Sequence, residues 1–195
     1  MTASQTSEGG VRRDARERIL ESAYELFSRR GVRDVGIDEL IAGAGVAKAT
    51  LYSHFPSKDD LVVAFLERRE QRWTLAFVET EARRRGTTPE ERLLAIFDVF
   101  DEWFHRDDFE GCSFIKLLFE MGAEHTAGRA SVHHLETIRS MVETLAQEAG
   151  LRDRAAFARS CHLLMEGSIV AAAAGDAGAA RRAQAMARAL VDQHR

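Results

Sequence analysis

Apolar residues recur at the helical period along most of the chain. The first such stretch covers about residues 11–30 and is followed by Gly31, a residue type that commonly ends helices. Residues 37–44 and 47–54 repeat the pattern over two short stretches, with a glycine-containing turn between them. The sequence therefore predicts three short helices, of which the last two form a helix-turn-helix.

Longer helical patterns occupy the rest of the chain. A capping box at Ser57 and Asp60 predicts the start of a fourth helix, which continues to about residue 81. After a break at Gly86 to Pro89, five more helices are predicted over residues 89–104, 112–121, 129–148, 154–174 and 176–193. We therefore expect an all-α protein.

The pattern also divides the chain into units. Residues 1–10 are rich in Ser, Thr, Gly and Glu, and are predicted to form a disordered arm. Residues 11–56 form a three-helix unit, and residues 57–195 form a six-helix unit. The fourth helix is too long to belong to the small unit alone, so it is expected to link the two mechanically.

The second helix of the helix-turn-helix has two chemically different faces. Val46, Leu51 and Phe55 lie at helical spacing and are predicted to point inward. Side chains that donate or accept hydrogen bonds, together with one small residue, lie on or near the outer side: Lys48, Ala49, Thr50, Tyr52, Ser53 and His54. Groups of these kinds contact base edges and phosphates when a helix enters the DNA major groove.

The string GVAKATLYSHFPSKDDL, at residues 45–61, closely resembles the DNA-binding segment of the TetR/AcrR family of bacterial transcriptional regulators. The resemblance is specific over about residues 12–65 and only general beyond them. Gly36 and Ala47 depart from the family pattern, which often has Ser or Thr there, so no contact is assigned to residue 36. The contacts that the resemblance implies are base or phosphate contacts from Lys48, Ala49, Thr50, Tyr52 and His54, and a phosphate contact from Lys58.

Charge qualifies this expectation. The net charge is −4, and the first 60 residues hold nine Lys and Arg against ten Asp and Glu. Positive charge must therefore be placed locally if the chain binds DNA. The candidates are Lys48, Lys58, Arg12 and Arg13, and the two arginines lie where an N-terminal arm could reach phosphates or the minor groove.

The middle helices carry many large, adaptable apolar side chains. Most are expected to form core, but an apolar ligand pocket needs the same residue types, and relatives commonly use this region so. Candidate pocket residues are Trp73, Phe77, Phe100, Trp103, Phe104, Phe114, Leu117, Met121, Met141, Met165, His162 and Glu166. The last two lie one turn apart, and either orient a ligand or form a structural pair near a subunit interface, which is the favoured alternative.

The last two predicted helices are rich in Ala and Gly. Small residues let helices approach closely, and such a hairpin buries little area by itself. Two hairpins from two subunits would form a four-helix interface. We therefore expect a homodimer through these helices, as the resemblance also implies; a monomer with a plain alanine-rich hairpin is the alternative.

Other kinds of site have weaker support. Cys112 and Cys161 are too few and too separated for a disulfide framework or a zinc motif, so they are expected to be reduced and buried. His133 and His134, considered with His125 and Glu124, lack metal-ligand spacing and are expected to be solvated. No cofactor or catalytic constellation is predicted. A cysteine-based redox regulator remains an alternative, and a small helical enzyme a more distant one.

No stretch reaches the roughly 18 apolar residues of a membrane helix, and the polar first residues do not form a secretory signal. We therefore expect a cytoplasmic protein. The resemblance implies a homodimeric regulator, most often a repressor, that binds a palindromic operator and is released by a small, largely apolar molecule.

Overall fold

The computed structural model describes residues 14–195, and this part of the chain is helical without any strand. The predicted all-α class is therefore confirmed. The predicted arm at residues 1–10, together with Arg12 and Arg13, lies outside the described residues. The elements are α1 (Ala15–Arg30), α2 (Ile37–Ala44), α3 (Lys48–His54), α4 (Lys58–Arg69), a π-helical segment (Glu70–Glu79), α5 (Thr80–Arg85), α6 (Pro89–Phe104), α7 (Ser113–Met121), α8 (Thr126–Glu148), α9 (Arg154–Ala173) and α10 (Ala179–His194).

The first four helices share one apolar core. Each contributes residues from one face, and Ile19, Leu40, Leu51 and Phe65 are at most 1% exposed. Phe27 of α1 meets Phe65 of α4 edge to face, with ring centroids 5.6 Å apart. Because α1 and α4 fill the inner side, α3 keeps its opposite side free of the core.

Local sequence signals fix the ends of these short helices. Gly45 adopts a left-handed conformation (φ 59°, ψ 46°) that closes the turn between α2 and α3. The Ser57 hydroxyl accepts from the backbone N–H of Asp60 at 3.1 Å, and the Asp60 carboxylate accepts from the backbone N–H of Ser57 at 2.9 Å. The predicted capping box is therefore confirmed, and it sets the direction in which α4 leaves the helix-turn-helix.

The predicted long fourth helix is continuous but not uniform. α4, the π-helical segment and α5 follow one another without a break from Lys58 to Arg85. The ten residues of the π-helical segment, Glu70–Glu79, replace the regular α-helix that the apolar spacing predicts. π-Helical stretches are rare and frequently lie at functional sites, and this one turns Thr74 and Val78 into the interior.

A second apolar core lies around α6. Thr88 and Glu91 form a capping box at its start, with Pro89 at its first position. Ile96 and Phe97 are at most 1% exposed, because α5, α8, α9 and α10 surround the helix. Among residues 14–195, no helix is both long enough and apolar enough to cross a membrane.

Two predicted helix starts are wrong by about three residues. α8 begins at Thr126 rather than near residue 129, and Gly128, predicted as part of a turn, lies in its first turn. A Cβ atom at Gly128 would lie 1.8 Å from the carbonyl oxygen of Gly122, so only glycine lets this turn close over the preceding chain. α10 begins at Ala179 because the carboxylate of Asp176 accepts from the backbone N–H of Gly178 at 3.0 Å, which holds residues 176–178 in a turn.

Candidate functional site

The outer face of α3 is polar and accessible. Lys48, Ala49, Tyr52 and Ser53 are exposed, with Thr50 and His54 partly exposed beside them. On the opposite side, Leu51 is fully buried and Phe55 is 3% exposed. The structure therefore brings the six predicted outer residues of this helix together on one surface.

The two predicted lysine contacts differ in their surroundings. The Lys48 ammonium lies 3.9 Å from the Asp38 carboxylate, and both side chains are largely solvated. Such a pair is weak, so Lys48 can exchange its partner for a phosphate or a base. The ammonium of Lys58 instead donates to the carbonyl oxygen of Val32 at 2.6 Å and lies 6.0 Å from the Phe27 ring centroid. The predicted orientation of Lys58 toward a DNA backbone is therefore not the one in the structure, because a carbonyl near the end of α1 is within its reach.

Two further arginines lie beside α3. The Arg16 guanidinium is 5.1 Å from the ring centroid of Phe55, which directly follows α3. Arg18 donates to the carbonyl oxygen of Gly45, in the turn before α3, at 3.1 Å. Both arginines are exposed, so α1 brings positive charge to both ends of α3. Sequence reasoning missed Arg16 and Arg18 as candidate DNA contacts. Their signal was their place on α1, just before the buried Ile19 and Leu20.

A small apolar cavity lies between the middle helices. Its volume is about 40 Å³, well below the roughly 300–1,000 Å³ of pockets that hold drug-sized ligands. A ligand of that size would have to displace lining side chains. The lining consists of Arg69, Trp73, Thr74, Val78, Phe100, Trp103, Cys112, Ser113, Phe114, Ile115, Leu135, Ile138, Met141, His162, Met165, Glu166 and Ile169.

Eight of the twelve predicted pocket residues line this cavity. Of the other four, Phe77 and Phe104 pack on the second core, while Leu117 and Met121 belong to the core of α1–α4. The core residues of α7 belong to the first core, which helical spacing alone does not reveal. Residues that the prediction missed are Arg69, Thr74, Val78, Cys112, Ser113, Ile115, Leu135, Ile138 and Ile169. Leu135 and Ile138 share the helical period of Met141 and could have been found from it.

His162 and Glu166 supply polar groups to the cavity. His162 Nε2 lies 3.9 Å from Glu166 Oε1, beyond hydrogen-bond distance. Burial, and then the nearby Arg139, lower the pKa of His162 to about 4, so its imidazole is neutral near pH 7. Burial raises the pKa of Glu166. Both residues also line an open groove between α7, α8 and α9, so they lie between the cavity and the surface.

Arg69 and Glu120 are among the residues that connect the cavity region with the helix-turn-helix unit. Arg69, which lines the cavity, donates to the hydroxyl of Tyr24 on α1 at 2.9 Å, and its guanidinium lies 5.4 Å from the Trp73 ring centroid. At the far end of α7, the Glu120 carboxylate accepts from the backbone N–H groups of Val32, at 3.3 Å, and of Arg33. α7 therefore contacts the cavity at its start and the turn between α1 and α2 at its end.

The solvated state predicted for His134 is wrong. His134 is 4% exposed, and its Nδ1 lies 3.0 Å from Oε1 of Glu70, although neither atom completes an aligned hydrogen bond within residues 14–195. His125 caps the start of α8, where its ring nitrogen accepts from the backbone N–H of Ala127 at 3.3 Å. Within residues 14–195, no three His, Cys, Asp or Glu side chains form a group suited to bind a metal ion.

The two cysteines are free thiols in unreactive surroundings. Cys161 is 1% exposed, and burial raises its pKa to about 12. Burial also raises the pKa of Cys112, and outweighs the opposite influence of Arg69. Reactive cysteines have a lowered thiol pKa, so the structure gives no support to the redox alternative.

Comparisons with known proteins place these features in a family. The sequence model described as "Bacterial regulatory proteins, tetR family" matches residues 19–65. The chain is 35% identical over 109 residues to the HTH-type transcriptional activator FasR of Mycolicibacterium smegmatis. This match covers 56% of this chain and 47% of FasR. The chain is 31% identical over 113 residues to the HTH-type transcriptional repressor NemR of Escherichia coli. This second match covers 55% of this chain and 54% of NemR. The chain thus spans about half the length of these curated relatives.

Solved structures extend the similarity to nearly the whole chain. A TetR-family transcriptional regulator from Streptomyces coelicolor superposes with a TM-score of 0.82 and 28% identity, over 92% of this chain and 95% of that one. The reduced form of Escherichia coli NemR shares the fold, with a TM-score of 0.78 and 21% identity over 91% of this chain and 97% of that one. The matched helix-turn-helix, the related sequences and the shared architecture agree: residues 19–65 match the tetR family of bacterial regulatory proteins, and together these findings support a TetR-family transcriptional regulator.

Proposed function

We propose that this chain is a cytoplasmic transcriptional repressor that binds a palindromic DNA operator as a homodimer and is released by a small, largely apolar molecule. One observation carries the proposal: the helical path that bounds the apolar cavity begins at the end of the helix-turn-helix. In this proposal residues 11–56 bind DNA, while residues 57–195 bind the effector and the second subunit.

The outer face of α3 supports the DNA-binding part. Lys48 is suited to a guanine edge and Ala49 to a thymine methyl group, since both are exposed on the same surface. Thr50, Tyr52, Ser53 and His54 would position the helix, mainly through backbone oxygens of the DNA. Arg16 and Arg18 add positive charge at the two ends of α3, which helps a chain of net charge −4 to bind DNA.

The contacts of Arg69 and Glu120 suggest how the effector acts. A ligand larger than the 40 Å³ cavity would push apart the π-helical segment and the start of α7. Because Arg69 holds Tyr24 and Glu120 holds the turn after α1, both displacements would reach the helix-turn-helix unit. The ligand can shift DNA binding only by its difference in affinity for the two conformations.

Exposed apolar residues on the last two helices support the dimer. Leu163 and Val170 of α9 are 68% and 57% exposed, and Met186 of α10 is 58% exposed. A second copy packed on this surface would remove them from water. The dimer would present two α3 helices to successive major grooves, about 34 Å or a multiple of it apart.

The test of DNA binding is an operator gel-shift titration, with the operator found by selecting DNA fragments from around the gene. Lys48→Ala and Tyr52→Ala should each weaken binding roughly ten- to hundredfold, as expected when one base or phosphate contact is lost in both subunits. Lys116→Ala, an exposed lysine on α7, is the matched control and should leave affinity unchanged. Full operator affinity in both α3 variants, with the helical content and dimer intact, would refute the proposed interface.

A further inference from the structure

We infer that the cavity, enlarged by displacement of lining side chains, accommodates an uncharged aromatic ligand that carries a hydroxyl group, as in a simple phenol. The inference rests on the proposed function, which needs an effector, and adds the chemical class of that effector. Three features of the lining determine the class: aromatic walls, buried hydrogen-bonding groups without partners, and a balance of charges that excludes ions.

The walls are aromatic on several sides. Trp73 of the π-helical segment and Trp103 of α6 have ring centroids 4.7 Å apart, and Phe100 lies 5.7 Å from Trp103. Phe114 of α7 completes the aromatic part of the lining. Aromatic rings favour offset or edge-to-face neighbours, so a planar ring fits this lining better than a flexible aliphatic chain.

Two polar side chains of the lining, Thr74 and His162, complete no hydrogen bond within residues 14–195. Thr74 is 2% exposed, and its hydroxyl has no partner within residues 14–195. His162 is 8% exposed, and its nearest carboxylate oxygen, on Glu166, is 3.9 Å away. The buried Thr74 hydroxyl is costly to leave unpaired, and a ligand recovers this free energy if it supplies a partner.

The missing partner is best supplied by a hydroxyl group. The neutral imidazole of His162 offers one donor and one acceptor nitrogen, and the carboxyl of Glu166 adds oxygen acceptors beside it. A hydroxyl both donates and accepts, so it can bond to His162 and Glu166 together. A plain hydrocarbon would leave these groups unpaired.

Charged ligands are disfavoured in both signs. A cation would meet the guanidinium of Arg69 in the lining and that of Arg139, which lies close enough to His162 to lower its pKa. An anion would meet the carboxylate of Glu166, which lies 3.9 Å from the neutral His162, while Arg69 already donates to the Tyr24 hydroxyl. Moving an unpaired charge into such a site is costly, so an uncharged ligand is preferred.

The chain carries its own reporter of binding. Its two tryptophans are Trp73 and Trp103, and both line the cavity. Quenching of their fluorescence, excited at the red edge of tryptophan absorption, therefore measures occupancy. Four probes of matched size separate the alternatives: 4-ethylphenol, ethylbenzene, 4-ethylbenzoate and 4-ethylbenzylammonium. The phenol should bind about tenfold more tightly than ethylbenzene, the gain expected from about 1.4 kcal/mol of hydrogen bonding, and both ions should bind more weakly than ethylbenzene.

Two variants test the residues. His162→Phe should remove most of the preference for the phenol over ethylbenzene while keeping the affinity for ethylbenzene. Thr74→Val, a change of similar shape, should reduce the preference if the ligand also reaches this hydroxyl, and circular dichroism should show that both variants keep their helical content. The inference is overturned if either ion binds as tightly as the phenol, if no probe binds, or if the preference survives in both variants. Operator binding in the gel shift is independent of these outcomes, so failure of the proposed function would be recognised separately.

Discussion

Among single residues, His162 has the clearest consequence for stability. Its pKa is lowered to about 4 by burial and by Arg139, whereas an unfolded chain would give it a pKa near 6.5. Between these values the unfolded state binds a proton that the folded state does not. The free energy of unfolding therefore rises with pH from about 4 to 6.5, and His162 destabilises the fold as the pH falls through this window.

This slope should disappear when the imidazole is removed. We expect urea unfolding of the wild type to show a loss of up to about 1.4 kcal/mol for each pH unit within the window, and of His162→Phe to show a smaller loss. The control is His133→Phe, which replaces an exposed histidine of α8. This variant should keep the wild-type slope. Glu166 has a raised pKa, so it destabilises the fold as the pH rises above its unfolded value, and any remaining slope from it has the opposite sign. An unchanged slope in His162→Phe would contradict the prediction.

Residues whose partners are distant in sequence are the ones that the sequence did not predict. The faces of α3 follow from local helical spacing, and the structure places them as the spacing predicts. His134 was expected to be solvated because its buried neighbour Glu70 is more than 60 positions away and belongs to a different helix. Lys58 likewise donates to the backbone carbonyl oxygen of Val32. No sequence motif marks that carbonyl as the partner of a lysine.

At the level of elements, α7 is the connection that can be tested most directly. The Glu120 carboxylate accepts from two backbone N–H groups just after α1, and hydrogen bonds to a charged group contribute about 1.5–3 kcal/mol. Glu120→Ala should release this turn, so amide hydrogen exchange at Val32 and Arg33 should become at least about tenfold faster. Operator affinity should also respond less to the effector, because a contact between the cavity region and the helix-turn-helix unit is lost.

Glu124→Ala is a suitable control for this experiment. Glu124 is an exposed carboxylate just beyond α7, and its removal should leave both amides protected. If Glu120→Ala leaves exchange at Val32 and Arg33 unchanged, α7 does not hold the turn, and the coupling runs through contacts with α1 such as that of Arg69 with Tyr24.

The presence of the helices and most of their boundaries were predictable from the sequence. The π-helical segment and the role of Gly128 were not. Caps at Ser57 and Thr88 lie in the sequence as recognisable motifs. The π-helical segment has no such motif, because the apolar spacing from Trp73 to Val78 suits an α-helix, and packing beside the cavity decides the backbone geometry. Gly128 looked like a turn residue because the close approach of Gly122 is visible only in three dimensions.

At the level of the whole molecule, the two apolar cores explain why a local ligand could have a distant effect. The first core holds α1 to α4, while the second surrounds α6. The path from α4 to α5 and the helix α8 contribute residues to both cores. Two packed units joined by a few rigid elements can shift relative to each other without unfolding.

The final prediction concerns the surface that joins two subunits. Leu163 and Val170 lie on one side of α9 with the exposed Gly167 between them. Apart from the adjoining turns of α9, no atom of residues 14–195 lies within 4 Å of a Cβ placed on Gly167, so a second helix could approach closely. Val170→Glu should place one charge from each subunit in this interface, which is costly. We expect sedimentation to show monomers of unchanged helical content, with operator affinity reduced at least about a hundredfold because a single half-site remains engaged.

Phe119→Glu provides the matched comparison. Phe119 is 84% exposed and lies on α7, which is not part of the proposed α9–α10 surface. A dimer through α9 and α10 should tolerate this charge, since Phe119 would stay in water in both states. If Phe119→Glu yields monomers while Val170→Glu remains dimeric, the subunits meet through α7 rather than the alanine-rich hairpin. The spacing of the two α3 helices would then have to be derived from that other interface, and the expected match to half-sites about one helical turn apart would lose its basis.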